Sequence, residues 1–220
     1  MRWSLSAFLF ALTGCALVPS SPPTHYYLLP DPPPCKERNP FGGTLVIADP
    51  VVPAYLDRSE LLLVHRKGSV AVDRFRKLLE PYDRAVQRLL ILSLRSGISG
   101  TVVPAPARGR KLEVRLLRFH LEAERGAVVE ALWRLDRGRW REERIAVTPS
   151  GAGVGAKLQA LSRVVGELGC RIARKIGKDG EKSRSRRGFP APTTARATAT
   201  GRASSEVLRA PDELIADPSR

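Results

Sequence analysis

Two stretches of this chain place apolar residues every three or four positions. Tyr82, Ala85, Val86, Leu89, Leu90 and Ser93 do so after Glu80-Pro81, with Arg84, Arg88 and Arg95 on the other face. The spacing predicts an amphipathic helix that Pro81 opens at its first position and Gly97 stops. Leu158, Leu161, Val165, Leu168, Ile172 and Ile176 repeat the pattern and predict a second helix over Lys157 to Ile176. That second seam suits packing on a sheet; a seam against a neighbouring subunit is the alternative.

The rest of the central chain reads as strands. Thr44 to Val52 is a β-branched run between Gly42-Gly43 and Pro53, and Glu60 to His65 is a shorter one before a turn at Lys67-Gly68. Gly100 to Pro104 follows the first helix. Lys111 to Leu121 puts Leu112, Val114 and Leu116 on one face and then shifts phase to Leu117, Phe119 and Leu121, which predicts a bulge. Val129, Ala131, Trp133 and Leu135 form the next inward face, Asp136-Arg137-Gly138 turns, and Trp140 to Thr148 returns. Arg141-Glu142-Glu143-Arg144 offers cross-strand charge pairs in this meander. The expected fold class is α+β, an antiparallel or mixed sheet with two amphipathic helices packed on one face, in a single domain over residues 41–176.

Both ends differ in kind. Residues 177–220 hold few large apolar side chains and include the basic cluster Lys182 to Arg187, so they read as a disordered basic tail. Residues 15–40 read as an extended proline-rich tether in which Ala16 to Asn39 sets the reach. Within it His25-Tyr26-Tyr27-Leu28-Leu29-Pro30 is bulky enough to dock on the domain as an edge strand. Residues 1–14 have a basic start, an apolar run and small residues before Cys15, the pattern of a signal peptide. Leu12-Thr13-Gly14-Cys15 resembles the bacterial lipobox, which makes Cys15 the lipidation site, carrying palmitate-type acyl chains. Ala16 stands where such lipoproteins carry Asp when kept at the inner membrane, so the resemblance implies the periplasmic face of the outer membrane.

The formal charge of +15 is spread along the chain: Cys35 to Lys175 holds 27 Lys and Arg against 15 Asp and Glu. A nucleic-acid partner is not expected for an acylated protein outside the cytoplasm. Anionic lipid, an acidic partner, or simply an arginine-rich solvated surface account for the charge. With Cys15 acylated, Cys35 and Cys170 either pair across a long loop or stay as free thiols. His25, His65 and His120 are widely separated, and no HExxH, CxxC or GxSxG occurs. The glycine-rich Pro149 to Gly155 does not match a phosphate-binding loop. The expectation is no enzyme, no catalytic residues, no metal and no cofactor.

The order of lipobox, Tyr26-Tyr27-Leu28-Leu29-Pro30, Val52-Pro53-Ala54-Tyr55-Leu56-Asp57-Arg58, Leu78-Leu79-Glu80-Pro81-Tyr82 and Leu168-Gly169-Cys170-Arg171-Ile172-Ala173 resembles the ABC-type transport auxiliary lipoprotein family, the paraquat-inducible type of outer-membrane lipoprotein. The Pro-x-Tyr-Leu-Asp-Arg turn and the Glu-Pro helix start carry the resemblance. The family often has Trp-Ala where this chain has Leu78-Leu79. The resemblance implies a non-catalytic subunit of an intermembrane lipid-transport system. Its partners would be a tunnel-type substrate-binding subunit, a permease and an ATPase, with self-association into a homo-oligomer allowed. An assembly factor or activator of an outer-membrane or cell-wall machine is the alternative. A third reading is a lipid carrier, which needs an apolar cavity. Pro53, Tyr55, Leu56, Asp57 and Arg58 are the candidate partner-binding residues; Tyr55 and Leu56 plugging the core is the competing account.

Overall fold

A computed structural model describes residues 21–65 and 68–186. The expected signal peptide, the expected lipidation site Cys15 and the chain from residue 187 onward lie outside the described residues.

The sheet is organised by its longest strand, β6 (Arg110–Glu122), which pairs antiparallel along its whole length with β7 (Gly126–Leu135). β7 in turn pairs with β8 (Arg141–Val147). The other edge of β6 is shared. β2 (Thr44–Ile47) runs parallel to its start, Leu45 to Ile47 facing Arg110 to Leu112. β3 (Glu60–Val64) runs parallel to its end, Leu63 and Val64 facing Leu121 and Glu122. Outside β2 lies β5 (Thr101–Pro104), parallel to it. Outside β3 come β4 (Val70–Leu78), antiparallel, and then β1 (His25–Tyr27), parallel to β4 at the far edge. The sheet is therefore mixed, with the meander on one side of β6 and two separate strand groups on the other.

Two helices complete the domain: α1 (Tyr82–Gly97) and α2 (Val154–Arg186). They lie side by side, α2 against β6, β7 and β8 and α1 against α2 and β5. The predicted stripes face inward: Ala85, Val86, Leu89 and Leu90 from α1 and Val165, Leu168 and Ile172 from α2 are fully buried. Close approach needs small residues at the contact, because a Cβ on Gly97 would come within 2.8 Å of Ala173 Cβ. Among the described residues no helix is long and apolar enough to cross a membrane.

Several expectations are corrected. Pro81 caps α1 from outside with an extended backbone (φ −56°, ψ 149°), and Tyr82 is the first helical residue. The first β run ends at Ile47, and Val51 returns only as an isolated bridge to Arg115. The bulge in β6 falls between Leu116 and Arg118, so Leu117 points out and is 44% exposed, while Phe119 and Leu121 face in. Cross-strand charge pairs do not organise β8. Arg141 reaches Asp179 at 2.7 Å, and the buried Glu143 takes Lys175 and Arg171, all three partners on α2. α2 runs ten residues past Ile176 to Arg186, so the start of the presumed tail continues a helix. β4 is a strand that hydrophobic periodicity does not announce.

The tether is also shorter than its composition suggests. Residues 29–41 lie strapped across the two helices. Leu29 is buried, and its carbonyl accepts from Arg88 at 2.8 Å. The Ser162 hydroxyl donates to the Pro30 carbonyl. Pro32 packs where Gly166 leaves room, since a Cβ there would come within 2.6 Å of Pro32 Cβ. Cys35 and Cys170 form a disulfide with Cα atoms 5.4 Å apart, joining the strap to the middle of α2. Asn39 then donates from its backbone N–H (2.7 Å) and its side chain (3.1 Å) to the Gly97 carbonyl, holding the end of α1. Of the expected tether, only residues 21–24 among the described residues precede the docked β1 and strap.

Candidate docking cleft

The chain between β2 and β3 crosses the middle of β6, over the bulge. It is anchored there by a one-turn 3-10 helix, Ala54–Leu56. Leu56 is buried in the core. Between the β2 and β3 pairings this edge of β6 has no strand beside Phe119, and the Phe119 N–H donates instead to the Tyr55 hydroxyl at 3.0 Å. That hydroxyl is also 3.1 Å from His120 Nδ1. The other ring nitrogen of His120, Nε2, lies 3.5 Å from Glu122. Of the five candidate contact residues, then, Leu56 plugs the core and Tyr55 spends its hydroxyl internally. Pro53 is half-buried, and Asp57 and Arg58 are exposed.

The second motif, Leu78 to Tyr82, arrives beside the first. Tyr82 is buried, its hydroxyl donating to the Glu60 carbonyl at 3.1 Å and its ring meeting Phe119 edge-on at 5.9 Å. Burial raises its pKa well above the ordinary tyrosine value. Glu80 holds Arg88 at 2.6 Å, and the same guanidinium reaches Asp31 at 2.9 Å. The hydrogen bonds that Arg88 donates to Glu80 raise the Arg88 pKa further. Glu80 thus locks the strap onto α1, and this is what the Glu-Pro helix start does in this fold.

Together the two motifs wall a cleft of about 570 Å³. Pro50, Pro53, Ala54 and Arg58 line one side, and Leu79 and Asp83 the other. Leu79, at one of the positions where the family often places its Trp-Ala pair, is 64% exposed on the rim. The cleft is open and mixed in character. Sequence order placed both motifs on record, but only the fold shows that they face each other; the exposed Leu79 beside Glu80-Pro81 was the available signal. Among the described residues no group of His, Cys, Asp or Glu is arranged to hold a metal ion.

Burial holds the pKa of His120 below its ordinary value of 6.5, and Glu122 offsets this only in part. The folded chain therefore binds fewer protons here than the unfolded chain. Stability from this site is present above pH 6.5 and is lost as pH falls through the depressed folded value. Thermal unfolding at neutral pH and at mildly acidic pH should show a drop for the native chain that His120→Gln reduces. Equal drops in both would place the acid sensitivity elsewhere.

The described chain is an α+β domain with a disulfide-pinned strap, two packed helices and an open cleft between the two motifs. A family model for the ABC-type transport auxiliary lipoprotein component matches residues 27–173, and the chain belongs to that family. The match runs from β1 through the middle of α2 and includes both walls of the cleft. No curated protein matches the sequence. Among solved structures, a Xanthomonas campestris protein of family DUF330 is similar at TM-score 0.62 and 14% identity, over 73% of this chain and 99% of that one. A crystal structure of an uncharacterized protein is similar at TM-score 0.58 and 20% identity, over 70% of this chain and 99% of the other. These two share the fold.

Proposed function

We propose that this auxiliary lipoprotein is a non-catalytic subunit of an intermembrane phospholipid transport system. Acyl chains on Cys15 hold it at the periplasmic face of the outer membrane. There the cleft receives the far end of a tunnel-type substrate-binding subunit, whose permease and ATPase sit in the inner membrane. The observation that carries the reading is the convergence of the two family motifs on one open cleft, with Arg58 and Leu79 turned outward. A shape without deep enclosure suits docking better than carriage of a lipid inside the domain.

The test is affinity recovery of the tagged, detergent-solubilised protein with mass spectrometry of its partners. A tunnel subunit with its permease and ATPase is the expected result. Ala54→Arg and Arg58→Glu should cut that recovery roughly tenfold, the loss typical of spoiling a central contact, without changing thermal unfolding. Tyr55→Ala is a poor probe, because it also strips the Phe119 amide of its acceptor. Recovery of a cell-wall synthase or a β-barrel assembly partner instead would sink the proposal.

A further inference from the structure

Three of the most exposed large apolar side chains in the described chain lie together at the β1 edge: Tyr26 at 61%, Leu28 at 55% and Leu79 at 64%. The register explains the grouping. Tyr26 pairs with Lys77 and Tyr27 with Leu78, and the Leu79 N–H donates to the Tyr27 carbonyl at 2.8 Å. Residues opposite each other in a sheet point to the same side, and neighbours along a strand alternate. Leu78 and Leu29 are buried, with Tyr27 packed against the core. Tyr26, Leu28 and Leu79 are therefore turned away from the core, while Lys77 beside them is largely covered and pairs with Glu60 at 3.2 Å. A patch of this kind on a small domain marks a contact surface.

The chain that leads to this patch limits what it meets. Pro22 and Pro23 have no N–H to donate, and β1 begins only at His25. The residues Ala16 to Thr24 separate β1 from Cys15. Extended, a segment of that length spans about 30 Å, at roughly 3.3 Å per residue. A folded domain of this size is itself about 40 Å across. β1 is the first described element after Cys15 and cannot leave the lipid surface by more than about the domain's own width. At that range a tether keeps the local concentration of the surface high enough for a weak contact to stay occupied. The side chains match that surface. A tyrosine ring places an apolar body and a polar tip across the interface, and leucines enter the acyl boundary.

We propose that the β1 edge, through Tyr26, Leu28 and Leu79, rests on the phospholipid surface that holds the anchor and so fixes the domain's orientation. The inference rests on the acylation of Cys15 in the proposed function. Leu79 is where this patch meets the docking cleft, so the contact would turn the cleft along the membrane plane and into the path of an arriving partner.

The full acylated chain in phosphatidylethanolamine–phosphatidylglycerol vesicles tests it. A nitroxide is placed at Leu28→Cys, with the remaining cysteines occupied by the acyl group and the disulfide. A control label goes at Arg108→Cys, exposed in the loop after β5 at the opposite end of the sheet. Moving from detergent to vesicles should lower collision with an aqueous nickel reagent about threefold or more at residue 28 and leave the control unchanged, as expected for a side chain entering the headgroup layer. Equal accessibility at both positions overturns the contact even when mass spectrometry finds acyl mass on Cys15, and the anchor reading survives. A label shielded only when a purified transport partner is added assigns the patch to a protein and also overturns it. A chain without acyl mass removes the anchor reading and the contact together.

Discussion

Reduction of the Cys35–Cys170 bridge should lower the unfolding temperature by roughly 10–20 °C. The bridge closes a loop across a sequence separation of 135. Chain-entropy arguments give a loop of that length about 5 kcal/mol. A chain of this size loses roughly 2–4 °C per kcal/mol. Thermal unfolding with and without dithiothreitol, and of Cys35→Ala paired with Cys170→Ala, measures it. The bridge also holds the strap that Arg88, Ser162 and Asn39 grip by hydrogen bonds. Loss of the bridge should therefore speed hydrogen exchange first along residues 29–41 and in β1. An unchanged unfolding temperature would mean that the hydrogen bonds alone keep the strap in place.

Phe119→Ala should cost about 3–5 kcal/mol, the usual loss for emptying a large aromatic from a packed core. The ring is fully buried against Tyr82, directly after the bulge that turns it inward. Its amide is the group Tyr55 holds, so the cavity opens beneath the cleft wall. Phe119→Leu keeps most of the volume and should cost nearer 1 kcal/mol. Denaturant unfolding separates the two, and partner recovery should fall with Phe119→Ala well before the domain unfolds. Equal, small losses in both would show that the bulge is not held by this ring.

Periodicity reads well wherever one face of an element is buried. Both helices, the meander and the docking of Tyr26-Tyr27-Leu28-Leu29 were legible for that reason. β4 was not, because Val70, Val72 and Phe75 remain exposed along with Arg74 and Arg76, and its pairing with β3 slips between Glu60 and Leu61. Leu117 misled because a bulge resets alternation at a point that one strand's pattern cannot locate. The strap misled because proline-rich composition signals an extended backbone without saying whether it is free. Here Pro32 is a packing residue, matched to a glycine 134 positions away, at Gly166. The partner motif was half legible: its order could be read, but Leu56 and the Tyr55 hydroxyl turned out to serve the fold, leaving Arg58 and the rim at Leu79 outward.

The disulfide also decides how the domain would carry load. A pull from an anchored N-terminus enters at β1, strips three paired residues from β4 and then the grip of Arg88. It stops at Cys35, where the covalent link passes tension into the middle of α2. The slack released on the way, from His25 to Cys35, is about 35 Å at roughly 3.3 Å per residue. Beyond that length the leash has no more give, and the sheet and cleft stay folded behind it.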